Sequence, residues 1–63
     1  MQLRIKEFRK KLNISQEELA RKSGVSRAII SGLETGGLTV TTTETLSKIA
    51  KALEKKVSDI FLD

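Results

Sequence analysis

The side chains able to do chemistry in this 63-residue chain are cations, carboxylates and hydroxyls, because it has no histidine and no cysteine. Disulfides, thiolate metal sites and His-based catalysis are excluded. No nucleophile is paired with a base, and Gly36-Gly37 lacks the spacing of a nucleotide cradle. Neither an enzyme nor a cofactor or metal site is expected. The chemistry that remains is recognition of anions. The net charge of +4 is unevenly placed: residues 1–34 hold eight Lys/Arg against four Glu, whereas residues 35–63 hold four Lys against four acids. The basic excess suits an anionic partner, although a solvated surface accounts for charge alone equally well. Arg27 is more pointed. It follows a serine suited to cap a helix, so its cation opposes the helix dipole at a cost of about 0.3–1 kcal/mol. That conflict is relieved if the turn faces nucleic acid, where arginine pairs bidentately with guanine or grips phosphate. The alternative is an arginine solvated away from the helix.

The elements that must position these groups are helical. Proline is absent, and Leu, Ile, Ala, Glu, Lys and Arg are plentiful. A first helix is predicted over about Leu3–Leu12, with Ile5, Phe8 and Leu12 on one face and Asn13 ending it in the left-handed conformation. Ser15 and Glu18 have the spacing of a capping box for a second helix, with Ile14 and Leu19 placed to staple across the cap. Glu17–Arg21 and Glu18–Lys22 are i,i+4 pairs worth about 0.2–0.5 kcal/mol each. Leu19, Ala20 and Ser23 face inward, Gly24 supplies a left-handed turn and Val25 plugs the core. Ser26 caps a third helix running to Glu34, with Ile29, Ile30 and Leu33 on one side and Arg27, Ala28, Ser31 and Gly32 on the other. Two short helices joined by such a turn form a helix-turn-helix. A fourth helix begins near Thr43, capped by Thr41 or Thr42, and turns Leu46, Ile49, Ala50 and Leu53 inward. A fifth lies near Ser58–Leu62. The expected architecture is all-α, one compact five-helix domain over residues 1–63. With no membrane span or signal-like apolar run, the chain is expected in the cytoplasm.

The pattern Arg4-Ile5…Phe8-Arg9…Ser15-Gln16-Glu17-Glu18-Leu19-Ala20…Gly24-Val25-Ser26…Ile30…Leu33-Glu34…Gly36, followed by Thr45-Leu46…Ile49-Ala50…Ala52-Leu53, resembles the phage-repressor and Cro-like, XRE-type, helix-turn-helix family across nearly the whole chain. The resemblance implies a lambda-repressor-like bundle whose third helix enters the major groove of double-stranded DNA. It implies that Gln16 opens helix 2 against a DNA phosphate, where backbone N–H groups and the helix dipole favour an anion. It implies a structural ion pair between Arg9 and Glu34. Base reading then falls to Arg27, to Ala28 through methyl contact with thymine, and to Ser31 through its hydroxyl. Gly32 either admits close approach to DNA or reads nothing, and mid-helix glycine costs about 1 kcal/mol relative to alanine.

The loop departs from the family. Thr35-Gly36-Gly37-Leu38-Thr39-Val40 carries no charge where many relatives place Lys or Arg. Thr39, Thr41, Thr42 and Thr43 suit phosphate contact or capping, and Leu38 and Val40 suit a core or an apolar contact surface. The expectation is sequence-specific DNA binding by a homodimer acting as a transcriptional repressor or regulator, with Val57, Phe61 and Leu62 of the last helix as candidate dimer contacts. The competing reading keeps the fold but makes the main partner a protein, as for an antitoxin or accessory module.

Overall fold

The structure, a computed structural model, describes residues 3–37 and 42–60. These form five helices: α1 (Ile5–Lys11), α2 (Gln16–Ser23), α3 (Arg27–Thr35), α4 (Thr43–Ala52) and α5 (Val57–Ile60). The caps behave as their residue types dictate. The Ser15 hydroxyl accepts from the Glu18 N–H while the Glu18 carboxylate accepts from the Ser15 N–H, both at 3.0 Å, completing the capping box. Ser26 accepts from the Ile29 N–H, and Thr42, rather than Thr41, caps α4 by accepting from the Thr45 N–H.

The α1 and α4 helices end the same way. Asn13 and Glu54 adopt φ of 58° and 60°. In each case the following residue reaches back to the helix: Ile14 N–H to the Arg9 carbonyl, and Lys55 N–H to the Ala50 carbonyl. Both are Schellman closures, which satisfy carbonyls that the last turn would otherwise orphan. Asparagine announces this role, whereas glutamate gives no such signal. The early stop of α1 also corrects one expectation. Leu12 is the C-cap rather than a helical residue and is 38% exposed, so it does not share the buried face of Ile5 and Phe8.

The core gathers one or more residues from every helix: Ile5 and Phe8, Leu19, Ile30 and Leu33, Leu46, Ile49 and Ala50, and Ile60, with Val25 and Leu53 from the turns. α2 packs on both α3 and α4, α1 on α3, and α4 on α5. The Arg4 N–H donates to the Ile60 carbonyl at 2.7 Å and ties the start of α1 to α5. The Phe8 ring is covered by the cationic ends of Arg4, Lys11 and Lys55, at 4.9, 5.6 and 5.1 Å from its centroid. At these distances the ring quadrupole attracts the cations. The helix pairs Glu17–Arg21 and Glu18–Lys22 do not close to ion-pair distance. Glu18 is committed to the capping box, and exposed pairs of this kind gain too little to hold two long side chains in place. Among the described residues no helix is long and apolar enough to cross a membrane.

Candidate nucleic-acid interface

The turn between α2 and α3 is built from three consecutive residues with distinct tasks. Gly24 takes φ of +76°, a conformation that costs about 1–2 kcal/mol for a residue with a Cβ, and its N–H donates to the Ala20 carbonyl at 2.9 Å. Val25 buries its side chain in the core. Ser26 starts α3. Held on the core by Ile30 and Leu33, α3 turns Arg27 and Ala28 fully outward, while Ser31 and Gly32 are half-buried. Arg27 has no salt-bridge partner among the described residues.

The start of α2 lies beside the start of α3. Arg9, Ser15, Gln16, Glu17 and Arg27 line one open concavity, bringing together Gln16 and Arg27, which lie eleven positions apart in the chain. The first-turn N–H groups of Gln16 and Glu17 have no carbonyl four residues back within the helix to donate to, and they add the positive end of the α2 dipole. Ala28, Ser31 and Gly32 continue away along α3. Thr39 and Thr41 fall outside the described residues, as do Leu38, Val40, Phe61 and Leu62; Val57 is half-buried against the core.

Beneath the concavity lies a polar network that residue spacing does not reveal in full. Glu34, at the end of α3, has a side chain only 2% exposed. Its Oε2 accepts from Arg9 Nε at 2.8 Å, and its Oε1 accepts from both Arg9 Nη2 and Gln16 Nε2 at 3.0 Å. Arg9 Nη1 donates to the Ile14 carbonyl at 3.0 Å. The ion pair between Arg9 and Glu34 that the family resemblance implies is therefore present, and its geometry is bidentate. The bond to Gln16 is the part that sequence reasoning missed.

Burial works against the charged form of Glu34, but hydrogen bonds from Arg9 and Gln16 and the positive charges of Arg9 and Lys6 outweigh it and hold its pKa below the ordinary value. The bond to Glu34 likewise raises Arg9, against desolvation. A carboxylate whose folded pKa is depressed stabilises the fold above its unfolded pKa, and that contribution is lost as pH falls through the folded value. Acidification from about pH 6 to about pH 3 is therefore expected to lower the urea midpoint more in the parent than in Glu34→Gln, with the difference reporting Glu34 itself. Equal falls would show that Glu34 carries none of the acid sensitivity.

A helix-turn-helix unit seated on a five-helix bundle, with an exposed arginine opening its second helix, defines the class of this protein. The chain belongs to the XRE-type helix-turn-helix family, the helix-turn-helix family model matching residues 5–60. It is similar to two uncharacterized HTH-type transcriptional regulators of Archaeoglobus fulgidus. They are 45% and 40% identical over 62 residues, covering 98% of this chain and 86% and 87% of the relatives. It is also similar to an uncharacterized HTH-type transcriptional regulator of Methanocaldococcus jannaschii, 39% identical over 62 residues, covering 98% of this chain and 92% of the relative. This membership marks a regulator and not an enzyme.

Proposed function

We propose that residues 1–63 form a single domain that binds double-stranded DNA in the cytoplasm as a sequence-specific transcriptional regulator, acting as a repressor. In this reading α3 enters the major groove. The observation that carries it is the meeting of Arg27, outward and without an acidic partner among the described residues, with Gln16 and the α2 N-terminus around one concavity. A helix seated in the groove by its N-terminal end needs such a pair of features: a backbone anchor on the preceding helix and a long donor beside it to reach a base edge. Arg27, Ala28 and Ser31 read bases, Gly32 allows the backbone to come close, and Gln16 contacts phosphate. Thr39 and Thr41 add hydroxyl contacts to the phosphate backbone. The family resemblance to phage repressors supports repression, and it supports a homodimer formed through the C-terminal helix. One such domain offers few base-reading side chains, so two copies on half-sites about one helical turn apart supply affinity and specificity.

Selection of binding sites from a random duplex pool tests this reading. A palindromic winner with affinity falling steeply in salt is expected. Absence of duplex binding at low salt would overturn it and favour a protein partner. On the selected site, Arg27→Ala is expected to cost about 1–3 kcal/mol and to relax preference at one base position. Titration of labelled duplexes checks this, and unchanged affinity and preference would remove Arg27 from the reading surface.

A further inference from the structure

The Glu34 side chain is only 2% exposed and is not among the residues lining the concavity, yet one of its carboxylate oxygens is shared by Arg9 and Gln16, two of the five that are. We propose that Glu34 determines specificity without touching DNA, by neutralising Arg9 and fixing Gln16 so that this edge of the interface grips phosphate in one geometry only. The inference rests on the DNA-binding reading above and adds to it a residue that acts through its neighbours.

Two effects of the shared carboxylate lead here. The first concerns charge. Arg9 spends three of its five N–H donors inside the protein, two on Glu34 and one on the Ile14 carbonyl. Its cation is balanced at contact distance, so the wall of the concavity offers hydrogen-bond donors there without a net charge. An unbalanced guanidinium in that place would attract any phosphate on any sequence, since charge contacts to the backbone carry no sequence information. The second concerns order. Gln16 uses one amide hydrogen on Glu34 Oε1, leaving its second N–H and its carbonyl oxygen free in a fixed position. The entropy of ordering that side chain is lost on folding and not on binding. A contact made only in one pose rewards the register in which α3 meets its proper bases.

A bracing role alone predicts a different outcome, because loss of a brace weakens binding to every duplex and leaves the salt response unchanged. The test compares the parent with Glu34→Gln on the selected duplex and on an unrelated duplex, by fluorescence anisotropy across a salt series, with thermal melts confirming that each variant is folded. Glu34→Gln is expected to bind the unrelated duplex about 5–10-fold more tightly near 0.1 M salt, with a salt slope steeper by about 0.9. Preference for the selected site should fall about tenfold. Arg9→Met/Glu34→Gln is expected to return the slope to the parent value while preference stays low, and a slope that remained steep would overturn the role given to Arg9. Unchanged slope and preference in folded Glu34→Gln would overturn the inference while leaving DNA binding intact. If the parent binds no duplex at all, the functional reading fails and this inference with it. Gln16→Met keeps the ion pair and decides the matter even if Glu34→Gln does not fold. It should weaken the selected duplex more than the unrelated one without altering the slope, and equal weakening of both, or undiminished affinity, would overturn the fixed-glutamine contact.

Discussion

Ile30→Ala is expected to remove roughly half or more of the stability of the domain at 25 °C. Ile30 is fully buried at the centre of α3 and belongs to the core shared by all five helices. Removing its branched side chain deletes about three methylene equivalents and leaves a cavity that helices braced on every side cannot close. Such substitutions cost about 2–5 kcal/mol, and the complete burial here places the cost near 4. A chain of this length is expected to have a total stability of only about 3–9 kcal/mol. Urea unfolding followed by circular dichroism measures the loss directly. A cost below about 1 kcal/mol would show that α3 is held by its termini and not by its buried face. The substitution leaves Arg27 and Ala28 untouched, so lost DNA binding that returns when the fold is stabilised separates scaffolding from reading.

The second large effect falls on the ion pair. Arg9→Met is expected to destabilise the domain by about 3 kcal/mol, because it leaves the Glu34 carboxylate buried with Gln16 as its remaining side-chain donor. That value sits at the low end for a broken buried pair because the Gln16 bond persists. The double variant Arg9→Met/Glu34→Leu should recover most of the loss, since two apolar side chains need no hydrogen bonds and suffer no desolvation. Urea midpoints for the two variants check the prediction. If the double variant were no better than the single one, the pair would matter for its shape at the α1–α3 junction and not for its charge.

These effects differ in how readily their causes could be read from the chain. Ile30 is legible because the spacing of Ile29, Ile30 and Leu33 marks one face of a helix bounded by Ser26, and the structure buries Ile30 and Leu33 on that face. The capping box at Ser15 and Glu18, the turn at Gly24 and the inward row of Leu46, Ile49, Ala50 and Leu53 are legible for the same reason. Each depends on residues three or four positions apart. The end of α4 at Glu54 was not legible, since a glutamate at positive φ is imposed by closure of the helix onto Lys55 and not by its own preference. The contact of Lys55 with the Phe8 ring was equally hidden, because it links the first helix to the turn before the last.

By itself, the order of residues determined the five helices, the serine caps of α2 and α3 and the helix-turn-helix, because these follow from backbone preference, side-chain periodicity and hydrogen bonds within a single turn. Only the tertiary structure decided that one carboxylate oxygen of Glu34 would serve both Arg9 and Gln16, 25 and 18 residues away. Such a bond depends on how α1, α2 and α3 cross, which is set by packing the whole core at once. No rule of local spacing contains that angle.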